Sequence, residues 1–224
     1  MNCALHFAEL TRQLKGSLQE ALALEPVALE PRFESVIGSF RGHPARLWAC
    51  VLRGPRIRWA RFVTIVGDGL EIGNVLCIPE PSTELPIFGV DLVGLGGGDT
   101  VVAAADLSPV DRTAPLPPLP VHALPVGGAL PAWATRWFSP HALITRTRAC
   151  DAHAIARVVT GYADAFVGLA SRAGKGGRDF TTQHLAYCRD HREEDRALGM
   201  LARIFGPDFS RAFISTVLFP ETFA

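Results

Sequence analysis

Asp91 is the most informative acid in the chain. It lies within Pro86-Ile-Phe-Gly-Val-Asp-Leu-Val-Gly94, a strand-like stretch that is apolar on both sides of it. A carboxyl group in such surroundings must be paired, or must be kept neutral by desolvation. A neutral acid at pH 7 is a ready proton donor. The plain alternative is an aspartate at a strand end bonding to a turn. If Leu70–Ile78 and Ile87–Leu95 form a hairpin around Ser82-Thr83, opposing residue numbers sum to about 165. Asn74 then lies across from Asp91 on the same face, where an amide can donate to the carboxyl or join it in clasping one ligand.

A second cluster comprises His184, Cys188, His191 and Asp195, spaced four, three and four apart and so sharing one helical face. Four ligands on one continuous helix cannot surround a tetrahedral ion, which argues against a zinc site. Either the face is a solvated polar stripe continuous with Arg192, Glu193 and Glu194, or one or two of its side chains project into a pocket. Gly94-Leu-Gly-Gly-Gly98 joins two strands and lacks the helix N-terminus that a phosphate loop requires. Ala173-Gly-Lys-Gly-Gly177 has no Ser or Thr after its lysine, and neither a GxSxG elbow nor a dinucleotide fingerprint is present.

These residues need a frame to hold them. Apolar residues recur at helical spacing from Leu5 to Leu24, and Pro26 and Pro31 end that helix. Leu47–Leu52, Ile57–Val66, Leu70–Ile78, Ile87–Leu95 and Thr100–Leu107 are rich in β-formers and separated by short Gly- and Pro-containing turns. Such turns imply an antiparallel meander, because parallel strands need crossovers of about a dozen residues. Prolines dominate Ser108 to Pro131, read as an ordered surface connection. Asp151 is placed to cap an Ala-rich helix reaching about Ala173. A further helix runs from about Phe180 to Phe205, with Gly206-Pro207 as its stop, and a last one covers Asp208 to Leu218. The expected architecture is α+β, a single domain spanning residues 1–224 with five or six strands and helices packed on them. It becomes an α/β/α sandwich if helices cover both faces.

Composition narrows the functions. The 22 basic and 22 acidic residues cancel, so no net field favours nucleic acid or an anionic membrane. Lys15 and Lys175 are the only lysines, against twenty arginines. Five dispersed cysteines without CxxC spacing suggest neither a disulfide framework nor a zinc ribbon, and fit a reducing cytoplasm. No basic n-region precedes an apolar stretch at the start, and no run of about 18 apolar residues occurs. A cytoplasmic protein with no membrane span is expected, and nothing demands more than a monomer.

Pro86-Ile-Phe-Gly-Val-Asp-Leu-Val93 followed by Ala105-Asp-Leu-Ser-Pro109 resembles the most recognisable segment of the ferredoxin-dependent bilin reductases. Further segments agree in order and spacing. They are Arg58-Trp-Ala-Arg61 through Asn74-Val75 and Pro79, Leu130-Pro-Ala-Trp133 with Phe138-Ser139, and His184 to Cys188. Glu194-Asp195-Arg196, Phe205-Gly206 and Thr216-Val-Leu-Phe219 complete the match, which spans about Arg58 to Phe219.

The resemblance implies a three-layer α/β/α sandwich with a central antiparallel sheet. It implies a biliverdin-type bilin lying between sheet and C-terminal helices, reduced through bilin radicals. No bound cofactor or metal is implied; electrons come singly from reduced ferredoxin, an external iron–sulfur protein, and a heme oxygenase is a candidate source of the bilin. By position, Asp91 matches the family's central sheet aspartate and Asp195 its helical proton donor, with Asn74 beside the former. Arg196 occupies a propionate-pairing position, Trp133 a pocket-lining one, and Arg146 is a further propionate candidate. Family members that make phycocyanobilin carry a histidine where this chain has Asn74 and a glutamate where it has Phe62. Their absence points to reduction at the A-ring diene or the C15 methine bridge, not at the D-ring vinyl group. Two alternatives stay open: a reductase of a chlorophyll-derived linear tetrapyrrole, and a bilin carrier without chemistry.

Overall fold

The structure, a computed structural model, describes residues 6–96, 99–113, 115–120, 122–128, 130, 132–174, 176–194 and 197–223. Helix α1 (Phe7–Leu22) buries Phe7, Leu10, Leu14, Leu18 and Leu22 along one stripe, each worth roughly 1.5–3 kcal/mol. It lies directly on the sheet at Gly73, where a Cβ would collide with Thr11 Oγ1 and the Phe7 carbonyl.

The strands are β1 (Glu25–Val27), β2 (Ser35–Phe40), β3 (His43–Gly54), β4 (Ile57–Gly67), β5 (Leu70–Pro79), β6 (Ile87–Leu95), β7 (Thr100–Ser108) and β8 (Leu143–Thr147). They form one sheet in the order β1-β3-β4-β5-β6-β7-β8, with β2 also paired to β3. Every pairing is antiparallel. The five strands expected from sequence form the centre. The other three add to its edges: β1 is only three residues long, and β2 is interrupted by Gly38, so neither carries a strong alternating signal.

Because successive strand residues point to opposite faces, two apolar layers result. One face packs Phe62, Val75, Phe88, Val90 and Leu92 against α1 and the long helix α4 (Ala152–Arg172), with the Phe88 and Phe166 rings stacked at 5.4 Å. The other face carries Val63, Ile65, Ile72 and Leu76. It packs against α2 (Pro31–Glu34), α5 (Thr181–Glu194), α6 (Ala197–Phe205), α7 (Pro207–Phe213) and the π-helical turn Ile214–Leu218. This is the expected three-layer α/β/α arrangement. A short helix α3 (Ala132–Thr135) lies in the connection before β8.

The helix foreseen over Phe180–Phe205 is seen as α5 and α6, and residues 195–196 between them lie outside the described residues. One local expectation changes. Asp151 occupies the position before α4 but does not cap it; its carboxylate instead accepts from Thr147 Oγ1. Among the described residues no helix is long and apolar enough to cross a membrane.

Candidate active site

The cleft-side face is laid out by strand register. Val63, Asn74, Asp91, Ala104 and Ile144 form one row across β4 to β8, and Ile65, Ile72, Val93, Val102 and Arg146 form the next. Asn74 and Asp91 are direct cross-strand partners, as the hairpin arithmetic anticipates. Asn74 Nδ2 donates to Asp91 Oδ1 at 3.0 Å.

Asp91 is exposed, which corrects the expectation of an embedded carboxyl. Its sequence neighbours Val90 and Leu92 turn into the opposite layer with α1 and α4. The apolar run around Asp91 therefore packs behind the sheet, while the carboxyl opens onto a cleft.

That cleft, of about 250 Å³, has Arg61, Val63, Ile65, Ile72, Asn74, Asp91 and Val93 as its floor. Met200 and Leu201 of α6, Phe213 of α7, and Leu218 and Phe219 form the opposing wall. Beyond it the same face continues over half-exposed Ala104 and Ile144, Val102 at 39% exposure, and exposed Arg146. From β4 to β8 this floor spans four strand spacings, about 19 Å. It is mostly apolar, with Asn74 and Asp91 paired near its centre and Arg61 beside them.

Arg61 is buried at 2% exposure. A guanidinium has five donors and no acceptor, so burial demands acceptors around it. Its Nε donates to the Leu218 carbonyl at 2.6 Å and its Nη1 to Asn74 Oδ1. Its plane also lies 4.9 Å from the Phe219 ring centre. Trp59, two residues earlier on the same face, donates Nε1 to the Val217 carbonyl at 3.2 Å. Carbonyls at the end of a helix lack helical partners, and β4 supplies donors to two of them, tying the C-terminal turn to the cleft. Arg192 of α5 donates likewise to the carbonyls of Phe219 and Pro220.

A model of the ferredoxin-dependent bilin reductase family matches residues 11–220, nearly the whole chain. The chain belongs to the ferredoxin-dependent bilin reductases. Membership makes it an oxidoreductase of bilins with ferredoxin as electron donor. It is 28% identical to a phycocyanobilin:ferredoxin oxidoreductase from Prochlorococcus marinus, over 94% of this chain and 83% of that one. It is 30% identical to a phycoerythrobilin:ferredoxin oxidoreductase from Gloeobacter violaceus, over 95% and 93%. In fold it is similar to phytochromobilin synthase from tomato, solved with biliverdin, at a TM-score of 0.79 and 21% identity, covering 96% of this chain and 83% of that one.

In this bilin reductase the structure brings together Asn74 and Asp91 of the residues singled out from sequence. Arg146 shares their sheet face, two strands along from Val93 and next to Val102. Trp133 is not among the described residues lining the cleft. It packs edge-on against His191 at 5.0 Å, and His191 in turn lies 5.0 Å from Phe219, so one ring separates Trp133 from the cleft wall. Asp195 and Arg196 lie outside the described residues.

Phe62 does not face Asn74. It is fully buried in the α1–α4 layer, and Val63 is the residue paired with Asn74 on the cleft face. The position paired with Asn74 on the cleft face thus holds an aliphatic side chain.

The shared face of α5 is buried: His184 is 1% exposed, Cys188 0% and His191 6%. It forms core and neither a solvated stripe nor part of the described cleft lining. His191 Nδ1 donates to the Tyr187 carbonyl at 2.8 Å, since that oxygen can only accept, and the two rings stack at 3.9 Å. Burial pushes the His191 pKa down to about 4, helped by nearby Arg61 and opposed by the Tyr187 hydrogen bond and Asp190. Burial likewise lowers His184 to about 4.

Sequence reasoning missed the roles of Arg61 and Asp106. Arg61 carries the same signal as Asp91, a charge inside an apolar strand. Asp106 is buried and accepts from Ser139 N at 2.8 Å, Ser139 Oγ at 2.5 Å and Ser108 Oγ at 2.7 Å. Burial raises its pKa against those hydrogen bonds. This clasp joins two of the family-like segments, Ala105–Pro109 and Phe138-Ser139, and ties the stretch just before β8 to the end of β7.

Proposed function

We propose that the chain reduces biliverdin IXα or dihydrobiliverdin at the A-ring diene, the C15 methine bridge or both, with electrons delivered singly by ferredoxin. The observation that carries this reading is the Asn74–Asp91 pair on a largely apolar sheet floor that lines a cleft. A conjugated tetrapyrrole needs such a slot with few polar contacts. Laid on this floor it takes Asp91 out of water, the condition under which a carboxyl keeps its proton. Each electron makes the pigment a strong base, and Asp91 gives its O–H proton to it. Asp195 supplies a second proton, on the strength of its family-like sequence context. Arg146, at the margin of the apolar floor, and Arg196 hold the propionates through charge-assisted hydrogen bonds. The chain's own residues bind, orient and protonate; no bound redox cofactor takes part.

Val63 beside Asn74 offers no acid to serve the D-ring vinyl group, so phycocyanobilin is not the product. The deciding experiment is anaerobic incubation with biliverdin and reduced ferredoxin, followed by chromatographic identification of the product. Conversion to an A-ring- or C15-reduced bilin is expected. Phycocyanobilin would overturn the regiochemistry. Biliverdin binding with no spectral conversion would favour a carrier, and failure to bind biliverdin a different tetrapyrrole.

A further inference from the structure

Three side chains on adjacent strands of the cleft floor form a chain of hydrogen bonds with a fixed direction. Arg61 of β4 donates to Asn74 Oδ1 on β5, and Asn74 Nδ2 donates to Asp91 Oδ1 on β6. The two ends of a carboxamide are nearly isosteric, and an isolated Asn74 could present either of them to Asp91. A guanidinium removes that freedom, because it only donates and repels an NH₂ group turned toward it. Arg61 is itself held by the Leu218 carbonyl at 2.6 Å and by the Phe219 ring at 4.9 Å, so it cannot swing away cheaply.

We infer that Arg61 is a positioning residue for bilin reduction: it holds the Asn74 amide in the orientation that presents an N–H to Asp91. The inference rests on the reading of Asp91 as proton donor. When ferredoxin has given the pigment one electron, the Asp91 O–H bond breaks, its proton bonds to the bilin radical anion, and a carboxylate remains. An N–H already aimed at Oδ1 stabilises that carboxylate without reorganisation. With the amide reversed, Asn74 would instead present an oxygen lone pair, which repels the carboxylate and holds the proton on the acid. The C-terminal turn, through the Leu218 carbonyl, thereby sets the polarity of a site on the sheet.

Neutron diffraction from crystals of the unaltered protein reads the amide directly. Deuterium on the Asn74 atom facing Asp91 is expected, and an oxygen facing Asp91 overturns the inference whatever the activity. Kinetics supply the second arm, with Arg61→Met and Arg61→Lys made alone and in the Asn74→Leu background. Arg61→Met should lower kcat about 10- to 100-fold with KM changed less than about twofold. Arg61→Lys, which keeps a donor, should recover much of that loss, and Arg61→Met should add nothing in the Asn74→Leu background. An equal loss in both backgrounds, or a change confined to KM, would show Arg61 to be merely structural. If Arg61→Met does not fold, the neutron result decides alone. Absence of any bilin reduction by the unaltered protein would sink the functional reading and leave the amide orientation standing.

Discussion

Asn74 and Asp91 stand side by side on neighbouring strands, joined by a 3.0 Å hydrogen bond at the floor of an apolar cleft. The pair needs no long-range element to form it, only the register of one hairpin. Asp91→Asn keeps shape and polarity while removing the transferable proton. Biliverdin binding by absorbance titration should persist, while turnover with reduced ferredoxin falls about 10²- to 10⁴-fold. Full turnover would remove Asp91 from its assigned role.

Val63 and Phe62 are adjacent in sequence and lie on opposite sides of the sheet. Val63 is only 3% exposed but lines the cleft, so Val63→Glu can turn its carboxyl toward Asn74 and the cleft and should cost less than the same change at Phe62. Phe62→Glu forces an unpaired acid into the layer under α1 and α4, at a cost of about 3 kcal/mol or more. Urea denaturation of the two variants compares them directly. Equal midpoints would contradict the assignment of faces.

Asp106 holds Ser139 through two hydrogen bonds and Ser108 through a third. Asp106→Ala leaves those donors without their acceptor and should cost roughly 1–3 kcal/mol. Because the clasp ties the far end of the β7–β8 connection to β7, proteolytic nicking within residues 109–142 should accelerate in this variant. An unchanged cleavage rate would mean the connection is anchored elsewhere.

His184 and His191 are buried with pKa values near 4, below the ordinary 6.5. Above pH 6.5 neither the folded nor the unfolded chain protonates them. As pH falls from about 6.5 toward 4, only the unfolded chain gains the protons, so stability is lost across that window. The loss approaches roughly 3 kcal/mol per histidine. Among the described residues neither ring nitrogen of His184 has a hydrogen-bond partner. His184→Leu should therefore be tolerated at pH 7.5 and flatten the acid limb of a stability–pH profile. A variant as acid-sensitive as the parent would show that other groups carry the effect.

Much of this molecule is written in local pattern. β-forming residues along Ile87–Leu95 and short turns on either side imply antiparallel strands, and counting through one hairpin places Asn74 opposite Asp91. Family-like segments in consistent order and spacing point to the enzyme class, because a site built from scattered strands and helices needs each piece at its own distance along the chain. Other features depend on contacts that no local pattern encodes. The α5 stripe of His184, Cys188 and His191 becomes core only because α5 packs onto the second face of the sheet and the C-terminal turn. Asp91 opens onto a cleft because its apolar neighbours serve the layer behind the sheet. Arg61 finds one of its acceptors on Leu218, 157 positions away. Residue type and spacing determine which groups can do chemistry; how one layer closes over another determines which of them meet, which way they point and which are shut away from water.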